Sequence, residues 1–167
     1  MGLDRRQMED AAQRGRVELI HLADAKGKPM RFVERARARA GLGLEGDRYG
    51  RGQGHFSGTP GTGRALTLIE AEALEHLRES AGIVLEPGQA RRNVTTRGIA
   101  LNALVGRRFR IGGLLCEGMR LCEPCSRLEK LVSKRLLRPL SHRGGLRADV
   151  LEDGEIHVGD EVRVLPD

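Results

Sequence analysis

Aromatic side chains are scarce: the 167 residues include three Phe, one Tyr and no Trp. A chain this poor in rings lacks the stacking platforms on which single-stranded nucleic acids are held. That counts against an arginine-driven nucleic-acid-binding module, the reading the net charge of +6 would otherwise invite. Long apolar runs are also missing, so no segment reads as a membrane span. The opening Met1-Gly2-Leu3-Asp4-Arg5-Arg6 has no apolar core of the secretory kind, and the cytoplasm is the expected compartment. The cysteines number three, an odd count that does not suit a disulfide framework and leaves reactive or metal-binding thiols as the alternatives.

What the chain has in quantity is glycine and arginine. Twenty-three glycines point to many turns and short elements rather than long helices. Of 29 basic residues 25 are Arg and four are Lys. The planar guanidinium grips phosphate or carboxylate through two parallel donors, so an anionic partner is expected.

The pattern is mainly β with a few helices. Residues 1–14 read as an N-terminal extension, with a short polar helix over 4–14, and 15–167 as one domain. Strands are expected at 16–22, at 31–40 (an exposed or edge strand with arginines on one face), at 64–69, and at 107–111 continuing into 114–116. Helices are expected at 70–80 and 126–138, the second with Leu128, Leu131, Val132 and Leu136 on one face. Residues 149–158 read as a hairpin turning at Asp153-Gly154, followed by a last strand through Val162 and Val164. Short strands between glycine turns predict a small barrel decorated by helices. Residues 41–63 form a glycine-rich loop. Its Gly41-Leu42-Gly43-Leu44-Glu45-Gly46 matches a dinucleotide fingerprint, but no helix follows to complete one.

Two clusters carry chemistry. Cys122-Glu123-Pro124-Cys125 lies between a strand and the 126–138 helix. A helix start favours thiolate, and thiolate is both nucleophile and metal ligand. Three uses compete: a zinc site completed by His55 or His142, a dithiol pair of Cys122 with Cys125, or a lone sulfur at Cys125. Cys116 sits in an apolar run and is expected in the core. The second cluster, Arg91-Arg92-Asn93-Val94-Thr95-Thr96, places two guanidinium groups, an amide and two hydroxyls within six residues, a set able to hold a phosphate and the edge of a heterocycle.

Taken in order, several segments resemble the MOSC domain, named for the C-terminal part of molybdenum-cofactor sulfurase. They are Gly43-Leu44-Glu45-Gly46-Asp47-Arg48, Pro87-Gly88 with Arg91 to Ile99, Leu104-Val105-Gly106 with Phe109 to Gly112, Pro124-Cys125, Arg143-Gly144-Gly145, and Ile156 to Asp160. The resemblance covers about residues 16 to 165. It implies a barrel like that inserted in pyruvate kinase and one functional cysteine, which falls on Cys125. That cysteine would ligate molybdenum in a pterin cofactor (molybdopterin) and support reduction of N-hydroxylated compounds, or would carry sulfur as a persulfide. The family's Arg-x-Asn cofactor contact falls on Arg91 and Asn93. Arg92 and Arg143 would add to the grip on the anionic pterin, and Asp47 and Arg48 would lie on a loop covering the site. A sulfur donor or an electron-transfer protein would be the partner. Where relatives with a defined cofactor site offer hydroxyls at a strand–helix junction, this chain has Ile69-Glu70-Ala71-Glu72.

Overall fold

The computed structural model describes residues 2, 4, 5, 14–48 and 63–166. Apart from residues 4, 5 and 14, the expected helix over 4–14 lies outside them, as does most of the glycine-rich loop. Eleven strands are described: β1 (Arg14–Ala23), β2 (Met30–Val33), β3 (Arg35–Arg39), β4 (Gly43–Leu44), β5 (Leu66–Glu70), β6 (Val94–Arg97), β7 (Arg108–Ile111), β8 (Leu114–Leu121), β9 (Leu146–Val150), β10 (Gly154–His157) and β11 (Glu161–Val164). Two α-helices accompany them, α1 (Ala71–Ala81) and α2 (Ser126–Val132).

Seven strands in the order β11-β7-β8-β9-β5-β6-β1 close on themselves through pairing of β1 with β11. Closure leaves the ring without an unpaired edge. The neighbours are antiparallel except β5 and β6, which run parallel. A parallel pair needs a crossover, and α1 with the segment after it supplies one. β2 extends the sheet beyond β1, and β10, β3 and β4 form a separate three-stranded sheet. The result is a closed mixed barrel with two helices, the fold class expected from the strand pattern.

Alternation along each strand fills the barrel. In β7, Phe109 and Ile111 point inward and are fully buried, while Arg108 faces solvent. Val17, Ile20, Leu66, Leu68, Val94, Leu114, Leu146 and Val162 complete much of the interior. A second, smaller cluster lies outside the barrel, where Leu77 of α1 meets Leu128 of α2 with Leu136 and Leu140 beyond it.

Three expectations are corrected. Residues 31–40 are not one edge strand: the chain breaks at Glu34, β2 pairs with β1, and β3 is the middle strand of the small sheet. The alternation itself holds, with Ala36 and Ala38 buried and Arg35, Arg37 and Arg39 exposed. The 149–158 hairpin does not form, because β9 is flanked by β8 and β5 while β10 pairs with β3. Local turn chemistry cannot reveal that both edges of β9 are already taken. The 126–138 helix stops at Val132. Ser133 adopts a left-handed conformation (φ 55°), and the Glu129 carboxylate reaches past the helix end to accept the N–H groups of Leu136 (2.6 Å) and Leu137 (3.0 Å). The turn so fixed still buries Leu136, so the apolar spacing was real although the helix is shorter.

Candidate functional site

Cys125 stands where the β8–α2 connection enters α2, in extended conformation (φ −131°, ψ 165°), and its carbonyl accepts the Glu129 N–H at 3.2 Å. The thiol is half-buried. One flank rests on the leucine cluster between α1 and α2. The other opens into a pocket whose walls come from six places in the chain. Lys26 and Gly27 come from the β1–β2 loop, Arg48 follows β4, and Thr67 belongs to β5. Arg91 and Arg92 precede β6; Arg127, Leu128 and Leu131 lie on α2, and Arg147 lies on β9. Six of these side chains are basic and none is acidic. A half-buried thiol among cations, with a low-dielectric wall behind it, is an environment that attracts anions.

The sequence-predicted residues divide by role. Arg92 is 8% exposed and spends its guanidinium on three main-chain carbonyls, donating through Nε to Gly144 (2.8 Å) and through its terminal nitrogens to Ala90 (3.0 Å) and Cys122 (3.0 Å). It clamps the Cys122–Cys125 connection to the approach of β9, and the Cys122 N–H donates to Gly145 (2.7 Å) in the same clasp. Gly145 has φ 111° and a Cβ there would strike the Leu68 carbonyl, so the strand approach is as close as backbone permits. Among the described residues no carboxylate pairs with Arg92. Its charge therefore adds to the potential of the pocket floor.

Asp47 is wholly buried and does not line the pocket. Its Oδ1 accepts the Ala23 N–H (2.9 Å) and an Arg48 terminal nitrogen (3.2 Å). Arg48 in turn donates to the Arg91 carbonyl (3.3 Å). Arg91 holds φ 60°, a conformation rare for a side-chain-bearing residue and kept only where the surroundings enforce it, and it donates to the Lys28 carbonyl at 2.6 Å. Asp47, Arg48 and Arg91 thus form a chain of contacts that ends in the pocket. Asn93 is buried with its amide fully engaged: Oδ1 accepts the N–H (3.2 Å) and hydroxyl (3.1 Å) of Thr67, and Nδ2 donates to the His21 carbonyl (3.1 Å). It binds β5, β6 and β1 together and does not line the pocket. Arg143 is exposed, lies near Glu70 and is not among the residues lining the pocket.

Sequence reasoning passed over Thr67, Lys26 and Arg147. Thr67 and Arg147 carried a signal, a polar side chain inside an apolar strand (Leu66-Thr67-Leu68 and Leu146-Arg147-Ala148). Lys26 carried none. Thr67 lies in the pocket wall two residues before Ile69, but its hydroxyl is engaged by Asn93, donating to Oδ1 (3.1 Å) and accepting the main-chain N–H (3.0 Å).

The remaining thiols are placed differently. Cys116 lies inside the barrel, where burial pushes its thiol up to about 12, so it stays protonated and inert. Cys122 is 2% exposed and does not line the pocket. Among the described residues no group of three His, Cys, Asp or Glu side chains could hold a metal ion. His142 is largely exposed beside Glu123, and His55 falls outside the described residues.

His21 backs the site from β1. It is 3% exposed, its Nδ1 has no partner among the described residues, and burial lowers its pKa from 6.5. The unfolded chain therefore takes up this proton at a higher pH than the folded one. The resulting loss of stability begins as pH falls through about 6.5 and levels off once the folded imidazole also protonates. Melting temperatures should fall more between about pH 7.5 and 5.5 for wild type than for His21→Leu. Parallel pH profiles would show that His21 does not carry the effect.

No curated protein matches the chain significantly by sequence. Solved structures match its fold. The crystal structure of the YuaD protein from Bacillus subtilis superposes with a TM-score of 0.76 at 17% identity, covering 90% of this chain and 95% of that one. YiiM from Geobacillus stearothermophilus gives 0.67 at 16% identity over 91% and 75% of the two chains. YiiM from Escherichia coli gives 0.62 at 21% over 91% and 70%. The MOSC domain family model matches residues 51–163, a span that includes Cys125 and most of its cationic pocket. The chain belongs to the MOSC domain family.

Proposed function

We propose that this protein binds the molybdenum cofactor, with Cys125 as a sulfur ligand to the metal, and that the loaded form reduces N-hydroxylated compounds. One observation carries the reading: a single accessible thiol opens into a pocket lined, among the described residues, by six basic side chains and no acidic one. A persulfide would bring one negative charge, which needs far less. The surplus of cations suits a phosphorylated cofactor, and a soft thiolate suits molybdenum.

Arg91, Arg127 and Lys26 would meet the cofactor's phosphate, and Thr67 borders the same space. Asn93, Arg92 and Asp47 act as positioning residues: they hold Thr67, the Cys122–Cys125 connection and Arg48 in place. When bound, the cofactor supplies a two-electron couple. The overall change consumes two electrons and two protons, converting an N-hydroxyl group to N–H with release of water, so an electron-transfer partner is required. None of the three cysteines is in a disulfide, which suits a reducing compartment such as the cytoplasm.

Metal analysis of protein made in a host that supplies the cofactor tests the proposal. About one molybdenum per chain is expected. Metal-free protein bearing a persulfide on Cys125 would overturn it in favour of sulfur transfer, and metal-free protein without persulfide would overturn both.

A further inference from the structure

A hollow of about 170 Å³ lies outside the barrel, between α1 and the crossover segment that leads from α1 to β6. Its floor is a single cross-strand row: the sheet register sets Leu19 of β1, Thr95 of β6 and Ile69 of β5 side by side. Leu74 of α1 forms one wall, and Leu85 with Pro87 of the crossover forms the other. Arg92 borders this hollow as well as the thiol pocket, with its guanidinium spent on the carbonyls of Ala90, Cys122 and Gly144.

Two features set the hollow apart from a packing gap. The first is Thr95, which is 6% exposed and whose hydroxyl has no hydrogen-bond partner among the described residues. A buried hydroxyl without a partner is costly, and a ligand that supplies one recovers that cost. The second is the charge at the mouth. The Arg97 guanidinium donates to Glu18 at 2.8 Å and to Glu75, and Glu72 lies 3.7 Å from it, so one cation serves three carboxylates. Glu86, on the crossover side, is exposed and in no ion pair among the described residues. In a chain of net charge +6 this mouth is acidic, opposite in sign to the thiol pocket. Such a field draws cations, and the leucines beneath it suit a short apolar body.

We propose that this hollow is a second ligand site, which takes a short aliphatic ammonium compound carrying a hydroxyl at its far end. The ammonium meets Glu86 and the carboxylates around Arg97, the methylenes lie between Leu74 and Leu85, and the hydroxyl pairs with Thr95. At about 30 Å³ for each water-sized group, the hollow holds on the order of six non-hydrogen atoms. The site does not depend on the chemistry at Cys125.

NMR titration of isotope-labelled protein tests this. The probes are aminobutanol, with ammonium and hydroxyl at opposite ends, butylamine, which lacks the hydroxyl, and butanediol, which lacks the charge. Aminobutanol should shift the amide signals of Leu19, Ile69 and Thr95 saturably, with a Kd of about 1 mM. Each of the other two should bind about fivefold more weakly. Thr95→Val should weaken aminobutanol about fivefold and leave butylamine unchanged, whereas Thr95→Ser, which keeps the hydroxyl, should bind as wild type does. Glu86→Gln should weaken aminobutanol about threefold and leave butanediol unchanged. Absence of saturable shifts in that row up to about 50 mM overturns the site. Unchanged aminobutanol affinity in Thr95→Val overturns the hydroxyl contact, and butanediol binding as tightly as aminobutanol overturns the cationic class.

Discussion

Cys125→Ser should leave the barrel folded and remove the metal. Molybdenum content should fall about 100-fold or more relative to wild type prepared in parallel, and reduction of N-hydroxylated compounds should fall with it. Serine keeps the shape of the side chain. The position precedes α2 without a side-chain cap hydrogen bond, so little stability is at stake. What changes is the donor. A hydroxyl remains protonated where a thiol ionises, and its oxygen is a harder ligand than sulfur. Cys122→Ala and Cys116→Ala provide the contrast. Cys116 lies in the barrel with its thiol held protonated by burial, and Cys122 lies in the core outside the pocket lining, so neither substitution should change metal content by more than about twofold. Full metal occupancy in Cys125→Ser would end the ligand assignment. Loss of activity in Cys122→Ala, with its fold and metal content intact, would point instead to a dithiol pair.

Arg92→Leu should give the largest loss of stability among the pocket residues. Three carbonyls, those of Ala90, Cys122 and Gly144, would each lose a charge-assisted donor in a place water reaches poorly. Hydrogen bonds to charged groups contribute about 1.5–3 kcal/mol apiece. Removal of a buried cation recovers part of that sum, because its desolvation cost disappears. A net loss of about 3 kcal/mol is expected, lowering the melting temperature by about 6–12 °C in a chain of this size. Arg92→Lys should recover little, since one ammonium group cannot satisfy three carbonyls that a planar fork reaches together. Arg91→Ala provides the comparison. Its side chain donates to the Lys28 carbonyl near the surface, and alanine at φ 60° adopts the same unusual backbone at a similar cost. That variant should melt close to wild type while losing affinity for an anionic ligand. A melting temperature within about 2 °C of wild type for Arg92→Leu would show that the clamp is dispensable.

These two substitutions separate neighbours that look alike in sequence. Arg91 and Arg92 are adjacent guanidinium groups in one polar run, yet the first reaches a solvent-open pocket and the second is consumed by main-chain oxygens. Asn93 resembles an amide offered to a ligand, whereas its oxygen serves Thr67 and its nitrogen serves His21. Asp47 resembles a loop carboxylate and is fully buried.

Much of the fold was legible because strand alternation is a local property. Leu66 to Ile69, Phe109 with Ile111, and Val162 with Val164 announce their inward faces within a few residues, and Cys125 announces itself by position between strand and helix. What could not be read is which strands meet. The hairpin assigned to 149–158 failed because the neighbours of β9 are β5 and β8, contributed by distant parts of the chain.

By itself, then, the sequence determined a glycine-punctuated β domain with two buried-face helices, a reduced cysteine at a helix entrance, and an excess of arginine. Only the tertiary structure decided which arginines surround that cysteine. It brought Lys26, Arg48 and Arg147 to the thiol, left Arg143 outside, and turned Arg92 inward. The physical reason is that charge placement follows from barrel closure: strands remote in sequence are made neighbours by backbone pairing and core packing. Each guanidinium then goes wherever a carbonyl, a carboxylate or solvent can satisfy it.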